Sequence, residues 1–230
     1  EGWYDEIKDK ISSTSFQDDL KKFRLLHPLP SPSKIICLTF NYPKHAKEQS
    51  YVSTKEPVIF IKPRTTLCGT GSEILCPNFV KQLDYEIELA VVIGKTCKNM
   101  DEISAKDCIF GYMIFNDVSA RDIQIKDKQF TRGKSFDTFA PCGPWITSAD
   151  EIVDIENLRM TTRVNGELRQ NSSTKNMFIN ISTIVSKLSK VMTLEKGDII
   201  ATGTPEGVAL NNPDTPFLKD GDEINMEIEK

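Results

Sequence analysis

The sequence predicts a mainly β domain with few helices, an α+β chain rather than a doubly wound one. Three observations point there. Short β-branched and apolar runs, bounded by Gly, Pro and polar clusters, recur along the chain. Only one long segment has helical periodicity. Strands and helices do not alternate with the regular beat of a parallel βαβ sheet.

Residues 1–33 are polar and end in HPLPSPS, which reads as an appendage and stiff linker before a domain over 34–230. KIICLTF (34–40) is an apolar strand. NYPKHAKEQ follows, with Pro43 suited to the first turn of a short helix. VIFIK (58–62) is a strand, and Pro63, Gly69, Gly71 and Pro77 make 63–78 an extended loop. Strand patterns return at 85–93 and 109–115. RMTTRVNGELRQ (159–170) is a hairpin with Asn165-Gly166 at its tip. Met177, Phe178, Ile181, Ile184, Val185, Leu188 and Met192 mark one face of a helix. DIIATGTPEG (198–207) is a strand entering a Gly/Pro turn, and DEINMEIEK (222–230) alternates as a final strand.

Composition narrows the function. The 230 residues carry 29 basic and 33 acidic side chains, net −4, with no basic stripe for nucleic acid. No apolar stretch approaches the ~20 residues of a membrane helix. Six cysteines, at 37, 68, 76, 97, 108 and 142, include no Cys-x-x-Cys pair and sit singly. They read as reduced thiols of a cytoplasmic protein; a chain opening on Glu1 leaves organellar targeting open.

In LDYEIELAVVIG, Asp84, Glu86 and Glu88 occupy alternate positions, so one strand face carries all three. Tyr85, Ile87 and Leu89 take the other face and pack on the core. The acidic face is either washed by solvent or aimed at a cation, because buried like charges repel. Carboxylate oxygens suit Mg²⁺, Mn²⁺ or Ca²⁺ better than Zn²⁺. CIFGYMIFNDVSARD (108–122) stays apolar until Asn116-Asp117, and Asp117 offers a third carboxylate at a strand exit. Its alternative role is an Asx turn or a helix cap.

An ordered set of stretches now becomes specific: NYPKHAKE, EPVIFIKP, LDYEIELAVVIGK, GYMIFNDVSARDIQ, RGKSFDTFAPCGPWI, VNGELRQ and DIIATGTPEGV. Together they resemble the fumarylacetoacetate hydrolase family, in its branch of small metal-dependent acylpyruvate hydrolases and oxaloacetate decarboxylases. The resemblance implies a mixed β-sandwich roll that pairs as a homodimer. It implies Mg²⁺ or Mn²⁺ held by Glu86, Glu88 and Asp117, with Ca²⁺ as a non-native occupant. One departure stands in LTFNY, where Thr39 takes the place of the family's usual glycine.

The same resemblance assigns the remaining residues. His45 lies three residues before Glu48, on one side of the short helix, where a carboxylate fixes the imidazole tautomer and strengthens it as a base. A decorated surface helix is the alternative. Lys134, in RGKSFD, holds a substrate oxygen or the developing enolate charge. Lys62 pairs with a site carboxylate or touches substrate; Arg121 bridges a substrate carboxylate or a structural acid; Gln124 bonds substrate. Gly203 and Thr204 offer a backbone donor and a hydroxyl to an anion. The implied reaction is hydrolytic C–C cleavage of acylpyruvates, and decarboxylation of oxaloacetate through the same enolate. The substrate is a small 2-oxo or dicarboxylic acid, with no nucleic-acid or membrane partner. Alternatives are a homoprotocatechuate-pathway isomerase or decarboxylase, a 2-oxo acid hydratase or sugar-acid dehydratase, and an inactive interaction module.

Overall fold

A computed structural model describes residues 25–229. The expected appendage falls mostly outside the described residues. Strands dominate, with three α-helices among the described residues, so the mainly β expectation is borne out. The strands are β1 (Ile35–Thr39), β2 (Val58–Lys62), β3 (Leu67–Cys68), β4 (Leu83–Asp84), β5 (Ile87–Ile93) and β6 (Ile109–Asn116). They continue with β7 (Ser119–Ala120), β8 (Ala140–Ser148), β9 (Arg159–Val164), β10 (Glu167–Ser173), β11 (Ile199–Ala201) and β12 (Ile224–Ile228). The helices are α1 (Pro43–Glu48), α2 (Arg121–Asp127) and α3 (Ile181–Val191).

Seven strands form one mixed sheet in the order β2-β1-β11-β5-β6-β8-β3. β1 runs parallel to β11, and β3 parallel to β8. The hairpin β9–β10 turns at Asn165-Gly166 and joins β12 in a three-stranded sheet, while β4 and β7 pair alone.

Strand alternation explains the core. Ile36 and Leu38 of β1, with Leu89, Val91 and Ile93 of β5, meet the buried face of α3 through Ile184, Val185 and Leu188. Their neighbours Ile35, Cys37, Ala90 and Val92 enter a second cluster with Phe60, Met113 and Phe115 on the opposite face. Asn180 caps α3 by accepting from the Thr183 amide at 2.9 Å. The helix therefore starts at Ile181, and Met177 and Phe178 of the expected stripe precede it.

Two expectations are corrected and one alternative is settled. The acidic face is not washed by solvent: Glu86 and every residue of β5 are buried. Backbone pairing also breaks at Tyr85-Glu86, between β4 and β5, and Asp84 stands outside the group formed by Glu86, Glu88 and Asp117. The 63–78 stretch is not one extended loop, since it holds a 3-10 turn at Arg64–Thr66 and then β3.

The second apolar face is what positions the site. Phe60 of β2 is followed two residues on by Lys62; Ala90 of β5 is preceded two residues back by Glu88; Phe115 of β6 is followed by Asp117. Period-two alternation thus carries one sheet face from an apolar interior to a charged end.

Candidate active site

Glu86, Glu88 and Asp117 are buried and can bring one oxygen each within 4.8 Å of the others. Three cations stand among them. Lys134 Nζ donates to Glu86 Oε2 and Asp117 Oδ2, both at 2.7 Å. Lys62 Nζ donates to Asp117 Oδ1 at 2.5 Å. Arg121 donates from Nη2 to Glu86 Oε1 at 2.6 Å and from Nε to Asp84 Oδ2 at 2.8 Å. Glu88 touches none of these cations. The Gly203 amide donates to its Oε2 at 2.8 Å, and its Oε1 is buried without a hydrogen-bond partner.

The electrostatics follow. Burial pushes the Glu86 carboxyl up, but Lys134 and Arg121 beside it outweigh that and hold it well below the usual carboxylate range. Burial, and then the charges of Asp117 and Glu86, push Glu88 well above that range. Glu88 is therefore the member of the cluster whose anionic form lacks a compensating cation, and its Oε1 has no hydrogen-bond partner. A divalent cation fits: the donors are all carboxylate oxygens, one is orphaned, and the others keep a second lone pair. An Asx-turn or capping role for Asp117 does not describe its side chain, which bonds both lysines.

A cleft opens beside the cluster, on the side of Glu86. Glu86, Arg121, Gln124, Lys134 and Thr204 reach it from the polar side, and Phe40, Phe60 and Phe130 form an aromatic wall. Phe130 stands 5.6 Å from Phe60 and 5.9 Å from Phe40, ring centre to ring centre. Lys134 Nζ lies 5.2 Å from the centre of the Phe60 ring. Phe40 adopts φ 55°, so the left-handed turn falls on it and not on Thr39, the residue in the family's glycine position.

α1 lays His45 on the cleft. Pro43 begins the helix as expected. His45 Nδ1 lies 3.5 Å from Glu48 Oε2, a close charge contact without hydrogen-bond geometry, and both atoms are buried. Asn41, just ahead of the helix, donates to the carbonyls of Ile179 and Thr202 and accepts from the Ile179 amide, fixing α1 to the sheet.

Three residues serve the frame of the site. Of its two expected roles Lys62 takes the pairing with a site carboxylate and not the substrate contact: it is fully enclosed, its protons go to Asp117 and to the carbonyls of Phe139 and Val118, and it does not line the cleft. Gly203 turns its amide to Glu88 rather than to the cleft; its φ of 95° and the Asn41 Cβ, 3.0 Å from where a side chain would begin, explain the glycine. Asp84 accepts from Arg121 and from the amides of Tyr85, Ala209 and Leu210, so it anchors Arg121 from behind. Arg121 thus joins both of its weighed roles, binding two acids while facing the cleft, and its Nη1 reaches Gln124 Oε1 at 3.1 Å.

Sequence reasoning missed the amides that hold this frame. Asn116 accepts from the Glu86 amide at 3.0 Å. Gln170 accepts from the Ile87 amide at 3.1 Å and donates to Thr204 Oγ1 at 2.9 Å. The signal available was their place in the family-matching stretches, Asn116 in GYMIFNDVSARDIQ and Gln170 in VNGELRQ.

Buried, mutually paired charges gathered under a cleft are the mark of an enzyme site. Residues 34–230 match the model of the fumarylacetoacetate (FAA) hydrolase C-terminal family, and the chain belongs to that family. It is 45% identical to an uncharacterized protein of Archaeoglobus fulgidus over 100% of this chain and 88% of the relative. It is 44% identical to oxaloacetate tautomerase YisK of Bacillus subtilis over 99% of this chain and 76% of that one. Among solved structures, 5-carboxymethyl-2-hydroxymuconate delta-isomerase from Mycobacterium smegmatis aligns with a TM-score of 0.80 at 43% identity, covering 91% of this chain and 79% of its own. The mixed β roll implied by the resemblance is borne out. No helix among the described residues is long and apolar enough to cross a membrane.

Proposed function

We propose that the protein is a divalent-metal-dependent enzyme that moves a proton on a small 2-oxo acid of the oxaloacetate type, interconverting keto and enol forms. One observation carries this reading: His45 lines the same cleft as Glu86 and Lys134, the residues that join it to the carboxylate cluster. The relatives support it, since one is named an oxaloacetate tautomerase and another an isomerase.

Glu86, Glu88 and Asp117 would hold Mg²⁺ or Mn²⁺, which supplies Lewis acidity toward the carboxylate and 2-oxo oxygens of the substrate. Lys134, anchored by Glu86 and Asp117, offers its remaining proton to the oxygen on which enolate charge develops. Arg121, Gln124 and Thr204 orient the acid group. His45 takes the proton from the carbon beside the 2-oxo group and returns one to the enolate; either direction leaves the composition of the substrate unchanged.

A second reading, hydrolytic cleavage of acylpyruvates, is favoured by Glu48 lying 3.5 Å from His45 Nδ1. A carboxylate there stabilises the imidazolium formed when His45 takes a proton from water. Water then attacks the distal carbonyl, and the C–C bond breaks to a carboxylic acid and pyruvate enolate. The family resemblance also supports a homodimer. Parallel assays of enol-oxaloacetate decay and acetylpyruvate cleavage by the Mn²⁺-loaded protein test the reading. Tautomerisation should run faster; cleavage as the faster reaction would give precedence to the hydrolase, and neither reaction would overturn both.

A further inference from the structure

We infer that Gln170 is a positioning residue: it turns the Thr204 hydroxyl into a fixed proton donor toward an anionic substrate oxygen in the cleft. The inference rests on the proposed binding of a 2-oxo acid.

Gln170 lies on β10, in the outer three-stranded sheet, yet its side chain is fully buried against the main sheet. Its amide orientation is dictated by two backbone groups that have no choice of role. The Ile87 amide can only donate, and it points at Oε1 at 3.1 Å. The Pro205 carbonyl can only accept, and it faces Nε2 at 3.0 Å. Thr162 Oγ1 completes the acceptor side, donating to Oε1 at 3.0 Å. The second Nε2 proton then goes to Thr204 Oγ1 at 2.9 Å.

All four hydrogen-bonding capacities of the amide are used, so it cannot flip without unpairing two buried backbone groups. Thr204 Oγ1 must therefore act as acceptor toward Gln170. Its own proton points elsewhere, and among the described residues no acceptor takes it. Thr204 is 3% exposed, and that surface lines the cleft beside Glu86, Arg121 and Lys134. Against a substrate carboxylate or 2-oxo oxygen, a hydroxyl aimed in this way donates a charge-assisted bond without first having to reorient. Nearby bonds hold the turn still: Thr202 Oγ1 donates to Leu89 O at 2.8 Å, and the Gly203 amide to Glu88.

The test is a double-mutant cycle on oxalate binding at saturating Mn²⁺, read by calorimetry. Oxalate is the probe because its vicinal carboxylates reproduce the charge and planarity of a 2-oxo acid enolate. Thr204→Val should weaken oxalate by about tenfold or more. Gln170→Met should weaken it by a similar factor in the wild-type background and by almost none in the Thr204→Val background. If Gln170→Met does not fold, Gln170→Glu replaces it, since it keeps the acceptor for Ile87 and loses the donor. Any charge repulsion it adds is common to both backgrounds, so the factor should still be about tenfold larger with Thr204 intact. An equal factor in the two backgrounds would overturn the inference and leave the 2-oxo acid reading standing. Failure of wild type to bind oxalate would overturn that reading, and this inference with it.

Discussion

The Gly203 amide donates to Glu88 Oε2 at 2.8 Å while the other oxygen of Glu88 remains buried and unbonded. One backbone donor thus fixes one oxygen of a carboxylate that lies within reach of Glu86 and Asp117. Cations already pair those two neighbours, and Glu88 is the member left to be satisfied.

Glu88→Gln separates stability from metal binding. Burial and the charges of Asp117 and Glu86 already disfavour the Glu88 anion in the metal-free protein, so the neutral amide should leave the chelator-stripped protein melting no lower than wild type. The gain in Tm on adding Mn²⁺ should fall, with affinity weakened at least about tenfold. Differential scanning fluorimetry with and without Mn²⁺ measures both.

Lys62→Met tests the role the structure gives Lys62. Asp117 would lose a partner in a fully buried pair, at a cost of about 3 kcal/mol or more in chemical denaturation. A loss below 1 kcal/mol would contradict the structural role.

Several elements were legible because local pattern and tertiary role agree. β1, β2, β6 and the Asn165-Gly166 hairpin follow from apolar runs and turn chemistry. β8 was not legible: Pro141, Gly143 and Pro144 argue against a strand, yet it pairs with both β6 and β3, with a shift in register. Glu86 and Glu88 were visible as an alternating pair, while Asp117 joined them only through the family resemblance; Asp84 shares the spacing but spends its oxygens on Arg121 and backbone amides, which spacing does not reveal. Asn41 and Gln170 carry no charge. Their meaning lies in partners as far as 161 and 83 positions away, which only the fold brings together.

His45→Ala should slow keto–enol interconversion by roughly 10²–10⁴ while leaving Mn²⁺ affinity within about threefold of wild type. Decarboxylation of oxaloacetate needs no proton abstraction from carbon or water, so it should keep a larger share of its rate. Comparison of kcat/KM for the two reactions in one variant checks this. Equal losses would make His45 a residue that orders α1 rather than a proton carrier.

Assembly is tested by light scattering at micromolar protein. The expected result is twice the chain mass; a single-chain mass at every concentration would contradict the homodimer.

The most direct measurement is the rate of enol-oxaloacetate decay during titration of chelator-stripped protein with Mn²⁺. Protein-catalysed decay should be absent before Mn²⁺ is added, then rise and level off at one ion per chain. Full activity in the stripped protein, unaffected by added Mn²⁺, would contradict metal dependence.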